Sequence, residues 1–510
     1  MLKMVDGTGI IGVDMVCPLG GAVSPPQPPN YDNIEMEGVG SLMLPNSLKA
    51  PIERLELIGN SVQGENPAPD NQQEIKSAGR KSKNLFNIAD LRVGQVQKDG
   101  TINEKQIYYR TVILDVPQDG KYRITFNSND DYTMLYFTEA YANGVYSNPY
   151  LRVHAGSPNY YITLAKGKNI LSFSTHTASG NIAFTTDHNI MIAAESETLD
   201  YEPYGYFFDV KITGKNLFDR EKARDIANWI VRDGDGYANF PIRVGKGNTI
   251  TFSYSEKLTT GKGFYLGVKY TETSGFSAWL YHSADISVSK NKYMAVATGD
   301  YIYLSCTRSG IQKFVDTIQT LQVEIGGEQT PYEPYTEQTV QIALDQPLRR
   351  VGDYNDEITK DCIVRRIKQK TVNEKSDVIF YSEGKNTFGY LTKVPDAIQT
   401  NYIYSVISDR FVKTQYIDSN DTNGLVTLFG KQIIFRVSKE IANSVDVLKE
   451  WLANNNITFN YVLDSPIIEP LPEELKQAIE SLSTNYPITN IIVDSGEVEC
   501  GIKLTYRKEK

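Results

Sequence analysis

Within one stretch of seven residues the chain places Phe276, Trp279, Tyr281 and His282. Aromatic faces stack on sugar rings and polar tips bind hydroxyls, so Trp279, Tyr281 and His282 are the candidate contact for a glycan. Packing at a domain or subunit contact is the competing reading of the same residues. Two acidic loops, Asn129-Asp130-Asp131 and Asp233-Gly234-Asp235-Gly236, have the oxygen ligands that calcium takes. The second lacks the distal glutamate of an EF-hand, and Asp and Gly are ordinary turn formers, so calcium is not assigned.

The other residue types argue against catalysis. Asp and Glu total 62, which supplies carboxylates in plenty, yet glycoside hydrolysis needs two of them about 5 to 10 Å apart across a cleft. A polysaccharide depolymerase built as a repetitive β-helix would show a short period, and none is present. No GxSxG occurs, and no cysteine has a context that activates it. Cys17, Cys306, Cys362 and Cys500 are far apart, and His154, His176, His188 and His282 form no HExxH pair. Neither a disulfide framework nor a zinc site follows, so the expectation is a protein with no enzymatic activity and no cofactor.

The elements that must position these residues announce themselves by duplication. Lys83-Asn84-Leu85-Phe86 returns as Lys215-Asn216-Leu217-Phe218, 132 positions on. Tyr201-Glu202-Pro203-Tyr204 returns as Tyr332-Glu333-Pro334-Tyr335, 131 positions on. Two units of nearly equal length therefore open and close on the same words, and this register sets Phe276–His282 against the loop at 144–150. A second copy of a whole domain adds valency or reach more readily than new chemistry, which points to binding or spacing.

Length and charge bound the rest. At 510 residues the chain is sized for three or four domains. A net charge of −10 argues against nucleic acid as partner, since phosphate binding needs a basic face. The N-terminal apolar run is interrupted by Asp14 and makes a poor signal peptide. No stretch approaches the 18 or so apolar residues of a membrane span. The expectation is a soluble product of the cytoplasm with no membrane insertion. Tyrosine, at 33 residues against 3 tryptophans, suits strands and recognition surfaces alike.

Punctuation divides the chain. Residues 1–45 include a Pro-rich stretch and read as an N-terminal arm, and 46–82 as a β-connector with a strand at 51–58. Residues 83–205 and 215–335 hold short strands between Gly, Asn and Asp turns: 108–116, 121–126, 133–137, 162–164 and 169–173, then 249–254, 263–270, 294–297 and 301–306. That pattern predicts two β-sandwiches of jelly-roll type, with one short helix at 220–229. Residues 206–214 read as a connecting strand. Residues 336–510 read as a C-terminal α+β domain, with a Ser444-capped helix carrying Trp451 on its apolar face and a second helix opening at Pro472. The fold class is mainly β, tandem sandwiches followed by α+β.

Taken together, Ser47 to Leu57, Gly59-Asn60-Ser61-Val62-Gln63, Pro67 to Asn71, the two repeated words, Pro347-Leu348-Arg349 with Asp356, Trp451-Leu452-Ala453, Phe459 to Pro466 and Thr489-Asn490-Ile491 resemble tail fibre and baseplate proteins of phages that infect Gram-positive bacteria, or of related phage-tail-like particles. The resemblance runs from about residue 40 to the end, and the repeats are similar to carbohydrate-binding jelly rolls. It implies a virion tail component that docks on other tail or baseplate proteins through its arm, forms a homo-oligomer, most simply a trimer, and contacts host cell-surface polysaccharide. A purely structural tail scaffold and a wall-degrading enzyme are the alternatives.

Overall fold

The computed structural model describes residues 4–6, 9–11, 30–126, 132–156, 160–177, 189–197, 200–231, 236–399, 405–414 and 422–510. Each repeat is a β-sandwich, built where apolar and polar residues alternate. In Tyr109–Val116 the side chains of Val112, Leu114 and Val116 point into a core that Tyr122 and Ile124 of Gly120–Thr125 close from the other sheet. The second repeat does the same with Phe240 and Ile242 of Tyr237–Arg243 against Ile250 and Phe252 of Thr249–Ser253.

The two sandwiches share a topology. In the first, one sheet runs Leu151–His154, Tyr132–Ala142, Gly167–Thr177, Tyr109–Val116, and the other Tyr160–Leu164, Gly120–Thr125, Met191–Ala194. In the second the orders are Ala278–His282, Tyr265–Lys269, Tyr301–Thr307, Tyr237–Arg243, and Lys292–Val296, Thr249–Ser253, Gln322–Ile325. Counted along the chain, the fourth, third, sixth and first strands form one sheet and the fifth, second and seventh the other. That is the winding of a jelly roll.

The repeated words hold the ends of each sandwich together. Asn84 Oδ1 accepts from the amides of Phe86 (2.9 Å) and Ile192 (3.0 Å), and its Nδ2 donates to Ile190 O (2.9 Å). Asn216 repeats the pattern with Phe218 N (3.1 Å), Val323 N (3.1 Å), Leu321 O (3.3 Å) and Glu333 O (3.0 Å). The asparagine stitches the incoming chain beside the last strand while Phe86 or Phe218 plugs the core. The closing word answers: Glu202 accepts from Lys83 N (2.8 Å), and Glu333 pairs with the buried Lys215 ammonium at 2.8 Å.

A third body unites segments from the whole chain. Glu337–Leu344, Tyr206–Thr213, Ile488–Asp494 and Ser41–Pro45 form one sheet. Tyr31–Val39, Gly501–Glu509, Arg54–Ile58, Glu357–Ile358, Cys362–Val372, Ile457–Pro470 and Val406–Ser408 form another. Leu44, Phe208, Val210, Ile342 and Ile491 of the first pack on Leu55, Leu57, Ile363, Ile502 and Leu504 of the second. The sandwiches are thus insertions: the chain leaves this core, makes a jelly roll, and returns as Tyr206–Thr213, then repeats the excursion and returns as Glu337–Leu344. These two returns pair antiparallel over their full length.

This arrangement redraws the expected boundaries. Residues 31–45, assigned to the arm, are core strands, because Leu42 and Leu44 alternate with the half-buried Ser41, Met43 and Pro45 and bury against the C-terminal strands. The 206–214 segment is a central strand of that core, and the 336–510 region shares its sheets with residues 31–58. Beyond the core, Thr387–Lys393, Gln432–Ser438 and Leu425–Phe429 form a sheet under the helix Val445–Leu452. Ser444 Oγ caps that helix on Val447 N (3.2 Å). Trp451 is only half-buried, with the Arg410 guanidinium 5.6 Å above its ring. The second expected helix is Glu473–Glu480. The helix expected at 220–229 is instead two 3₁₀ turns, Lys222–Arg224 and Ile226–Asn228, because the Asp225 carboxylate captures Ala227 N (2.9 Å) and interrupts the helical ladder.

Candidate functional site

The segment around Trp279 is a strand, Ala278–His282, at the edge of the larger sheet of the second sandwich. Its structural counterpart is Leu151–His154, which pairs with the matching strand of the first sandwich, and not the 144–150 loop. The first repeat carries an extra hairpin strand, Val145–Ser147, and that insertion shifts the register.

Pleating splits the three candidate side chains. Tyr281 pairs across from Leu266 and points inward: it is 0 % exposed, its hydroxyl donates to Thr259 O (2.9 Å) and accepts from Lys262 N (3.1 Å), and its ring lies 4.5 Å from that of Phe264. Tyr281 is therefore a core residue and touches no ligand on the surface. Trp279 pairs with Gly267, His282 with Tyr265, and both face outward. A bulge between these two pairs, which leaves Leu280 in the core, brings them onto one side.

On that outer face the sheet assembles partners the local sequence did not indicate. Phe276 stacks on Trp279 with ring centroids 4.0 Å apart. Tyr237 lies 5.1 Å from Phe276, and Tyr265 lies 6.1 Å from Trp279 and 4.8 Å from His282. His282 Nδ1 accepts from Asp285 N (3.0 Å), so in the neutral ring Nε2 carries the proton. The glycine is required here: a Cβ on Gly267 would sit 2.4 Å from Phe276 Cδ1. Beneath the rings, Asn239, Ser305 and Gly267 lie in one row across three strands, ending at Trp279. Asn239 Oδ1 and Ser305 Oγ are buried there without a hydrogen-bond partner among the described residues. The alternation in Tyr237-Ala238-Asn239-Phe240 and Tyr265-Leu266-Gly267-Val268-Lys269 marks these residues as one face, but only strand pairing sets them side by side.

The first sandwich treats the same face differently. Thr111 and Ser172 occupy the row of Asn239 and Ser305. There the chain folds a hairpin, Gln95–Val96 with Ile102–Asn103, over the sheet. Val96 N donates to Ser172 Oγ (2.7 Å), Ser172 donates on to Thr111 Oγ1 (2.7 Å), and Thr111 donates to Gly94 O (2.8 Å). Gly94, at φ 127°, permits the close approach, since a Cβ there would meet Ile102 Cγ2 at 2.7 Å.

A separate cleft of about 640 Å³ runs between the second sandwich and the core sheet. In it Glu337 accepts from Lys211 Nζ and Tyr335 OH. Burial raises its proton affinity, but these hydrogen bonds together with the charges of Lys211 and Lys222 outweigh burial and hold the carboxyl below its ordinary range. A carboxylate fixed in the ionised form is unsuited to protonate a leaving oxygen. Both proposed calcium loops have their acidic residues outside the described residues, and among the described residues no group of three His, Cys, Asp or Glu side chains is placed to hold a metal ion. Among the same residues no helix is long and apolar enough to cross a membrane. No family model, curated protein or solved structure matches the chain.

Proposed function

We propose that this protein is a non-enzymatic component of a virion tail, a fibre or baseplate-peripheral protein that contributes to attachment at the host surface by weak, multivalent glycan binding. The observation that carries this reading is the outer face of the second sandwich, where Trp279, Phe276, Tyr265, Tyr237 and His282 form a half-buried aromatic platform. Such rings offer stacking surface to a sugar at low entropic cost. One platform per chain binds weakly, and repetition of chains around a tail raises avidity by roughly 10²-fold or more. The first sandwich, whose equivalent face is covered by its own chain, acts as a spacer.

The test is retention of the full-length protein on intact Gram-positive cells and on stripped wall polysaccharide, beside Trp279→Ala. Loss of retention in the variant supports the reading. Equal retention, or none by either protein, removes the glycan role and leaves a scaffold of the tail. Deletion of 83–335 is the wrong control, because it removes the core strand Tyr206–Thr213.

A further inference from the structure

A lysine can bury its stem against apolar neighbours while its charged head stays within reach of a partner. Lys269 lies on the outer face of the second sandwich at 6 % exposure. Its Nζ meets the Phe276 ring, 4.8 Å from the centroid, and among the described residues no carboxylate pairs with it. Two residues along its strand is Gly267, which pairs with Ser305, and Ser305 pairs with Asn239. Lys269 and Gly267 are thus about 7 Å apart along the strand, and Ser305 and Asn239 lie a further about 5 and about 10 Å to the side, a span longer than one sugar ring. Among the described residues, Asn239 Oδ1, at a residue 1 % exposed, lacks a donor, and Ser305 Oγ, at 0 %, lacks any partner. Among the described residues, one face therefore presents a lysine with no carboxylate partner, an acceptor without a donor and a hydroxyl without a partner, all beside the stacked rings of Phe276 and Trp279. In the first sandwich the hydroxyls at the same row are satisfied by backbone groups of the covering hairpin.

We infer that the ligand of this face is an acidic saccharide, one bearing a carboxylate or phosphate; this rests on the glycan-binding reading above. Its ring takes the place of Phe276 against Trp279, its anion pairs with Lys269 Nζ, and its neighbouring hydroxyls meet Asn239 Oδ1 and Ser305 Oγ. Phe276 follows the turn Thr271–Ser274 and packs on Gly267, Trp279 and Tyr237, so the ligand takes over these ring contacts when it enters. Charge-assisted hydrogen bonds are the stronger kind, so the ion pair dominates the preference.

The probe is stripped Gram-positive wall polysaccharide in three forms: native, with carboxylates amidated by carbodiimide coupling, and with phosphodiesters cleaved by hydrofluoric acid. Retention of the full-length protein is expected to fall about tenfold or more on one of the two treatments, and which one identifies the anion. Lys269→Met should lose retention on native polymer to the same degree, Lys269→Arg should keep it, and Ser305→Ala should weaken it a few-fold. Thermal unfolding of each variant separates lost binding from lost folding. Trp279-dependent retention that is unchanged by both treatments together, or by Lys269→Met, overturns the acidic ligand and leaves the glycan reading standing. No retention of the wild type on native polymer overturns both.

Discussion

The two sandwiches share a winding, a clasp and a core, and differ in what lies on one face. In the first, residues 92–103 cover the outer sheet, and every hydroxyl of the Thr111–Ser172 row finds a backbone partner. In the second, the corresponding chain after Phe218 makes two 3₁₀ turns and buries Trp229 beside Phe240, with Trp229 Nε1 donating to Ala223 O (2.9 Å). Its described residues seal the end of the core, and among the described residues the sheet face carries aromatic side chains instead of a hairpin. A duplicated domain can thus keep its fold while one face is filled by a hairpin in one copy and by aromatic side chains in the other. Among the described residues, the row beneath the hairpin has its hydroxyls paired and the row beneath the aromatic side chains does not.

Four experiments break or sharpen this comparison. The largest effect belongs to what the copies share: Asn84→Ala and Asn216→Ala each strand two amides and at least one carbonyl, and each should destabilise its own sandwich by about 2–4 kcal/mol. Limited proteolysis and denaturant unfolding should show the damage confined to the mutated copy; unequal losses would mean that the clasps are not equivalent. Next, Ser172→Ala leaves Val96 N–H unsatisfied under the hairpin and should cost about 1–3 kcal/mol, whereas Ser305→Ala removes a hydroxyl with no partner and should change stability by less than about 0.5 kcal/mol. Similar costs in both would remove the distinction between a covered and an open face.

Alkaline pH should discriminate as well. Burial pushes the Cys306 thiol up from 9.0 to about 12, against a smaller opposing hydrogen bond with Thr307. Burial also raises Tyr254, whose hydroxyl donates to Leu280 O, to about 12. Both groups stay neutral in the fold and ionise near pH 9 to 10 when unfolded, so their contribution is complete below pH 9 and is lost as pH rises toward 12. Each pH unit above 9 costs about 1.4 kcal/mol per group once its unfolded form ionises. Phe173 occupies the position of Cys306 in the first sandwich, so Cys306→Ala should flatten the alkaline limb for the second sandwich alone, as followed by Trp229 fluorescence. Last, Tyr281→Phe should lower stability by about 1 kcal/mol through the lost hydroxyl and leave polysaccharide retention unchanged.

Much of the architecture was legible because its signals are local. The Lys-Asn-Leu-Phe and Tyr-Glu-Pro-Tyr words mark the two units, alternation gives strands such as Tyr109–Val116 and Tyr301–Thr307 within a residue or so, and Ser444 marks its helix. The face was legible only in part. Trp279 and His282 are on it, but Tyr281, two positions from Trp279, points the other way because a bulge breaks the simple alternation. Tyr237, Asn239, Tyr265, Lys269 and Ser305 come from three other strands, and nothing local ties them to residue 279. The strands at 31–45 were missed for the same reason, since their partners are the last strands of the chain.

The sequence by itself determined that there are two copies, where most of their strands run and which side chains alternate, because periodicity and turn chemistry are short-range properties of the backbone. Only the tertiary structure decided that the words at the ends of each copy close on one another, that the segments between copies are strands of a shared core, and that one sandwich face is covered by a hairpin while the other gathers Lys269, Asn239 and Ser305 beside aromatic side chains. Those outcomes depend on hydrogen bonds and burial between residues far apart in the chain, and such contacts exist only once the sheets have chosen their partners.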